Sequence, residues 1–196
     1  MTRESIRQRL AEARVGIAGL GGLGSNCAAA LVRAGVGSLV LVDFDIVTES
    51  NLDRQFYFHD QIGQPKAHAL VENLKRIDPT VHLESYVLEL DPATVLALYH
   101  DCDVIVEAFD LAEAKEMIIE TVLTRMPEKW LVAASGIAGY GRFEALHVMK
   151  SGQLVLCGDE ESEVGPEAPP LAPRVGIVAA MEADAVLEIL LSDNRS

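Results

Sequence analysis

The sequence predicts an α/β fold, a mostly parallel sheet flanked by helices, with antiparallel strands added near the C-terminus. Three observations lead to it. Short runs rich in Val, Ile and Leu alternate with segments of helical period, which is the grammar of a parallel sheet. A glycine-rich turn, Gly19-Leu-Gly21-Gly22-Leu-Gly24, joins the first apolar run to a helical segment. Beyond Gly136 the alternation stops, and two β-rich runs meet at Ser151-Gly152. With 196 residues and 21.2 kDa, the chain is expected to form one domain over 1–196 around a single core.

In order along the chain, a charged segment from about Ser5 to Ala13 reads as a short helix, leading into a strand from Val15 to Gly19. Ser25 to Ala34 is a second helix, and Gly35 is placed to cap it. Ser38 to Val42 is the next strand, ending at the acidic pair Asp43 and Asp45. Ile46 to Gly63 is irregular and long for a connection, which usually marks function. Pro65 opens a helix to about Ile77, since proline is tolerated in a first turn. Val81 to Leu88 is a third strand, and Asp91-Pro92 caps a helix to His100. Val104 to Phe109 is a buried fourth strand, followed by Asp110 and a helix from Leu111 to Arg125. Trp130 to Ala134 is the fifth strand. Arg142 to Met149 and Gln153 to Cys157 form the hairpin. Gly158 to Pro173, rich in Glu, Gly and Pro, is too irregular for a regular element. Val175 to Leu191 is a long apolar helix that packs on a face or at an interface.

Composition narrows the function. Apolar residues make up 49% and charged residues 23%, as in ordinary globular proteins. A net charge of −14 argues against nucleic acid, whose backbone asks for a basic surface. It leaves open a nucleotide, which needs only a local cluster of donors. Met1 to Arg14 is too polar for a signal peptide, and no apolar run is long enough to cross a bilayer, so no membrane partner and a cytoplasmic location are expected. Cys27, Cys102 and Cys157 lie far apart with no C-x-x-C pair, and are read as small buried apolar residues. The five histidines show no metal spacing.

The glycine turn stands between strand and helix, the context a Rossmann-like phosphate loop requires. Gly19 permits the tight turn, Gly21 lets phosphate approach the backbone, and Gly24 lets helix and strand pack closely, with Gly22 counted in the same nucleotide-binding loop. The N–H groups at the start of the following helix then face an anion. Asp43, nineteen positions past Gly24, can accept both hydroxyls of a ribose. To this point ATP and NAD fit equally well.

What separates them is Asp43-Phe-Asp45-Ile-Val-Thr-Glu-Ser-Asn51-Leu-Asp-Arg54-Gln55, followed by Ile62-Gly63-Gln64-Pro65-Lys66. The first resembles the acidic strand end and S-N-L-x-R-Q signature of the ThiF/MoeB/HesA family, bacterial relatives of ubiquitin-activating enzymes. The second is similar to that family's G-x-x-K element. With Gly-Gly-Leu-Gly-Ser at 21–25, the resemblance runs from about Val15 to Gly136. Glu107-Ala-Phe-Asp110 and Ala172-Pro-Arg174-Val-Gly look closest to a short, single-domain ThiF-like branch. The resemblance implies an adenylyltransferase that uses ATP and Mg²⁺ to activate the Gly-Gly carboxy terminus of a ThiS-like sulfur-carrier protein, in thiamine biosynthesis, as a homodimer. It implies Arg54 and Lys66 as catalytic cations, Asp43 on the ribose, Asn51 beside the phosphates, and Asp110 as the magnesium carboxylate, with Asp45 assisting Asp110. Those residue types suit the chemistry, because attack on the α-phosphate builds negative charge that fixed cations stabilise.

Some features depart from the family. The family's zinc site of two C-x-x-C pairs has no counterpart, so no zinc is expected. Asp110-Leu111 stands where many relatives carry Asp-Asn, and Arg7 is the match for an arginine that relatives supply from the partner subunit. Some relatives carry a cysteine in the loop crossing the site. Here 158–173 contains none and Cys157 stands just before it, so adenylation alone is assigned. Arg174 is expected to be available for a carboxylate or a backbone contact. Two other readings are kept: an NAD-dependent oxidoreductase, which leaves Asn51 to Gln55 and Lys66 unused, and a non-catalytic ATP-binding or scaffolding protein. Arg54 also reads as a surface arginine, and Asp110 as a helix cap.

Overall fold

The computed structural model describes residues 1–192. Its helices are α1 (Arg3–Ala11), α2 (Gly22–Ala34), α3 (Lys66–Ile77), α4 (Pro92–Tyr99), α5 (Ala112–Arg125) and α6 (Ala172–Leu191). Its strands are β1 (Arg14–Ala18), β2 (Ser38–Val42), β3 (His82–Tyr86), β4 (Val104–Glu107), β5 (Trp130–Ser135), β6 (His147–Ser151) and β7 (Leu154–Gly158). They form one seven-stranded sheet in the order β3-β2-β1-β4-β5-β7-β6. All neighbours run parallel except β6, which is antiparallel to β7. The hairpin therefore joins the sheet through a parallel β5–β7 pairing and leaves only its outer strand reversed.

Alternation along the strands explains the layers. Val15 and Ile17 of β1, Leu39 and Leu41 of β2, and Val104 and Val106 of β4 face a core shared with α1, α2, α3 and α6. Ala18, Val40, Val42 and Ile105 face the other core, with Tyr99 of α4 and Ile118 and Val122 of α5. Successive side chains of a strand point to opposite faces, so one buried strand feeds both layers. Gly16 makes room for Tyr99, since a Cβ there would sit 2.5 Å from its ring. The tyrosine hydroxyl donates to Ile17 O at 3.1 Å.

The element ends follow local chemistry. Thr2 caps α1 by accepting the Ser5 N–H, and Asp91 caps α4 by accepting the Thr94 N–H. Gly35 ends α2 in the left-handed region at φ 102°, where glycine carries no Cβ penalty. Ser151 pairs with Leu154, so the hairpin turn is Gly152-Gln153, with the positive φ on Gly152. The hairpin's first strand starts at His147, not Arg142, because Arg142 is itself left-handed at φ 50° and opens a short 3-10 turn, Phe143–Ala145. α6 starts three residues earlier than its apolar pattern suggests, with a proline in its first turn. Its apolar side is covered within the chain by α2, β5 and β7, so the helix itself does not call for a second copy.

The sheet order reverses direction at β1 and β4. In open α/β sheets that switch point places a crevice at the carboxyl ends of the strands. The glycine turn leaves β1 there, and the turn 108–111 leaves β4 beside it.

Candidate nucleotide site

The glycine turn is built by close approaches. Gly19 has φ 90° and a Cβ on it would lie 2.8 Å from Ala108 O, while a Cβ at Gly24 would lie 1.9 Å from Gly19 O. Helix α2 can start there only if both lack side chains. Gly21 differs, because a Cβ there meets nothing nearer than Gln55 Nε2 at 3.8 Å. The space above Gly21 faces the crevice. Its residue is the N-cap of α2 and makes no side-chain cap bond, so the first N–H groups of the helix remain directed at whatever occupies that space.

Asp43 follows β2 and is buried. Its Oδ2 accepts the Leu20 N–H at 2.7 Å and its Oδ1 accepts the Asp45 N–H at 2.8 Å. Burial pushes the carboxyl up, against the pull of Lys66 and the two N–H groups. Lys66, at the start of α3, is itself 6% exposed. Its Nζ donates to Asp45 Oδ2 at 2.7 Å and lies 4.0 Å from Asp43 Oδ2. Asp45 is half exposed on its side chain, so the buried cation reaches toward the open side of the site.

Arg54 lies with its stem against the glycine turn, its Cγ 3.6 Å from a Cβ placed on Gly22. Its Nη1 donates to Asp53 Oδ1 at 2.7 Å and to Ser50 O at 3.1 Å. Asn51 organises the loop beneath it: its Oδ1 accepts the Thr48 N–H, and its carbonyl accepts the N–H of Arg54 and of Gln55. Gln55 turns toward Gly21, and its Oε1 is buried without a partner among the described residues.

Asp110 is three residues past β4, which ends at Glu107 and not at Phe109. It is exposed, and no described residue gives its carboxylate a hydrogen bond or ion pair. It is not the cap of α5 either, since Leu111 holds that position. Among the described residues no three His, Cys, Asp or Glu side chains gather as a metal cage. A cation that travels on ATP asks for less, namely one or two carboxylates plus phosphate oxygens, and a lone exposed carboxylate at the switch point fits that donor set.

The structure thus brings Gly19–Gly24, Asp43, Asp45 and Lys66 into direct contact and lays Arg54 on the glycine turn. Asn51 acts through the loop backbone, and Asp110 stands on the neighbouring turn. Three residues outside the expected set stitch these parts together. Ser25 Oγ donates to Gly21 O at 2.6 Å and accepts the Phe56 N–H at 3.0 Å. Asn26 Nδ2 donates to Gly22 O at 2.7 Å and to Arg54 O at 2.9 Å. Tyr57 donates its buried hydroxyl to Leu20 O at 2.8 Å. All three act on backbone atoms, and the polar residue types alone carry no signal for that.

Arg174 makes both kinds of contact expected of it, a carboxylate and a backbone carbonyl, but makes them within the chain. It is buried on α6, pairs with Asp159 Oδ2 at 2.5 Å and donates to Gly141 O at 2.7 Å. Its Nε is also buried, so it is a structural tie, not a group held out for a ligand. Together they line a cleft of about 380 Å³ bounded by Gly139, Tyr140, Pro169 and Leu171, at the carboxyl ends of β5 and β7. Cys157 is buried on β7, and burial pushes its thiol up to about 12, away from the thiolate form that covalent chemistry uses. Cys27 and Cys102 are likewise buried.

The ThiF family model matches residues 1–196, and the chain belongs to the ThiF family. It is 30% identical over 190 residues to the molybdopterin-synthase adenylyltransferase of Escherichia coli K12, covering 94% of this chain and 75% of that protein. It is also 30% identical over 190 residues to the adenylyltransferase and sulfurtransferase UBA4 of Candida glabrata, covering 93% of this chain but 43% of the relative. The chain therefore spans less than half of that two-function protein. Among solved structures, the E. coli tRNA N6-threonylcarbamoyladenosine dehydratase TcdA in complex with AMP superposes with a TM-score of 0.86 at 21% identity, covering 96% of this chain and 89% of that one. The same protein in complex with ATP gives 0.81 at 23% identity, covering 94% and 89%. These likenesses establish the shared fold. No helix among the described residues is long and apolar enough to cross a membrane.

Proposed function

We propose that this chain is an ATP-dependent adenylyltransferase, joining AMP to the carboxy-terminal carboxylate of a small ubiquitin-like sulfur carrier and releasing pyrophosphate. The observation that carries the reading is the cation pair around the glycine turn. Lys66 is buried against Asp43 and Asp45, and Arg54 is laid on Gly22. A dinucleotide site for hydride transfer has no use for both. The relatives whose names give an adenylyltransferase activity support the same chemistry.

In this reading Asp43 accepts the ribose hydroxyls, and the N–H groups at the start of α2 take the phosphates. Arg54 exchanges its contact with Asp53 for a phosphate oxygen, and Lys66 moves from Asp45 to another. As the carrier's carboxylate attacks the α-phosphorus, these two cations meet the charge that grows on the phosphorus oxygens and on departing pyrophosphate. Asp110 would hold Mg²⁺, which when bound neutralises phosphate charge. The cleft beside Tyr140 and Leu171, opening at the same edge of the sheet, receives the carrier's extended tail. A ThiS-like carrier in thiamine biosynthesis is the partner favoured by the sequence resemblance. The chain is proposed to act as one ATP-binding domain, paired with a second copy as the family resemblance suggests.

ATP–pyrophosphate exchange tests this. Exchange should require a carrier with an intact Gly-Gly end, and Arg54→Ala or Lys66→Ala should each lower it by about 10²–10³-fold with unchanged circular dichroism. Unaltered exchange in both variants would remove the residue assignments. Exchange stimulated by tRNA and indifferent to carriers would replace the substrate, and hydride transfer without ATP binding would overturn the reading.

A further inference from the structure

Strand β4 ends on a carboxylate that the proposed chemistry leaves unused. Glu107 is fully buried where β4 lies between β1 and β5, in register with Ala18 and Ala133. An unpaired charge there would be strongly destabilising, and burial does push the carboxyl up against the pull of Lys115. Lys115 of α5 pairs with Glu107 Oε2 and donates to Ala134 O at 3.0 Å. A buried ion pair is often no more stable than apolar residues of the same volume, so stability does not explain why the pair is here.

Its other oxygen does. Glu107 Oε1 accepts the Phe109 N–H at 2.8 Å, which fixes the chain one residue before Asp110. The same turn is pressed on the glycine loop, for a Cβ at Gly24 would lie 3.2 Å from Ala108 Cβ, and one at Gly19 would lie 3.1 Å from Phe109 Cδ1. We infer that Glu107, held in place by Lys115, is a positioning residue that presents Asp110 to the cation on the nucleotide. The inference rests on Asp110 being the carboxylate that meets that cation.

Two variants separate the anchor from the charge pair. Glu107→Gln keeps one acceptor oxygen, for the Phe109 N–H, and turns an NH2 toward Lys115, which still donates to Ala134 O. Glu107→Leu combined with Lys115→Met removes both charges together and the acceptor with them. Calorimetry of ATP binding with Mg²⁺ and with EDTA gives the metal's enhancement of affinity. Glu107→Gln should keep the wild-type enhancement, while the double variant should lose about tenfold or more of it with its metal-free affinity for ATP retained. A folded double variant that keeps the full enhancement overturns the inference. Asp110→Asn is run beside it, and an unchanged enhancement in that chain marks the failure of the Asp110 reading instead. Should the double variant not fold, amide exchange in the wild type decides: a Phe109 amide exchanging as fast as an exposed turn overturns the anchor, and strong protection supports it.

Discussion

Replacing Arg174 by methionine should be among the most damaging single changes outside the nucleotide site. The guanidinium and its partner Asp159 are both nearly inaccessible, with side chains 3% and 2% exposed. Asp159 Oδ1 is taken by the N–H groups of Glu161 and Ser162, and among the described residues Arg174 is the only counter-charge on the other oxygen. Removing one partner of a buried pair costs about 3–5 kcal/mol, because it strands the other charge. At about 2–4 °C per kcal/mol for a chain of this size, the melting temperature should fall by roughly 6–20 °C. Adding Asp159→Asn should return part of the loss, since a neutral amide needs no counter-ion and can still accept the two N–H groups. The pH dependence has a definite sign. Burial pushes the Asp159 carboxyl up, but the Ser162 and Glu161 N–H groups and Arg174 outweigh it and hold it below its ordinary 3.8. A depressed carboxylate contributes stability above its unfolded pKa and loses it as pH falls through the folded one. The gap between wild type and Arg174→Met should therefore be widest at neutral pH and close below about pH 3.8. Melts followed by circular dichroism from pH 3 to 8 measure it. A shift under about 2 °C at pH 7, or a gap that does not change with pH, would refute the argument that this pair ties the cleft loops to α6.

The glycine turn offers a contrast between two neighbours. Gly24→Ala drives a Cβ to within 1.9 Å of Gly19 O and should destabilise the chain by about 1–3 kcal/mol, visible in denaturant melts. Gly21→Ala has room, so it should leave the melt unchanged while weakening ATP binding by calorimetry. Glu182 of α6 is fully buried with both carboxylate oxygens unpartnered among the described residues. It stands in the field of Glu107 and Lys115 and near Cys27 and Cys157, and burial raises its carboxyl well above 4.5. Its favourable contribution is complete below about pH 4.5 and is lost as pH rises toward the folded value. Glu182→Met should accordingly raise the melting temperature at pH 7 and flatten its decline above pH 4.5, and a lower melting temperature at pH 7 would count against the argument.

What could be read beforehand divides by the kind of partner a residue has. The alternating apolar runs specify β1 to β5 because each must fill two cores at once, and the pattern records that demand in every pair of neighbours. Gly19 to Gly24 and Asp43 are legible as candidates because a phosphate loop places glycines and an acidic residue at set spacings, and Lys66 through the family resemblance. The residues whose roles the sequence does not mark are those whose partners are distant in sequence or belong to the backbone. Arg174 looked available because Asp159 lies in a stretch without periodicity, and nothing in that stretch marks which of its carboxylates will be buried. Glu107 stands out only as part of the Glu107-to-Asp110 resemblance, with no sign of its anchoring role, because its partner Lys115 meets it only when α5 folds back over β5. Ser25, Asn26 and Tyr57 hold carbonyl and N–H groups, which every residue carries and no sequence pattern can distinguish. The legible set builds the candidate nucleotide site, and the illegible set holds the backbone beneath it. Substitutions in the first should therefore change which ligand binds and how fast it reacts. Those in the second, such as Tyr57→Phe, which frees Leu20 O while leaving the ring buried, should change the geometry of a site whose side chains are all still present.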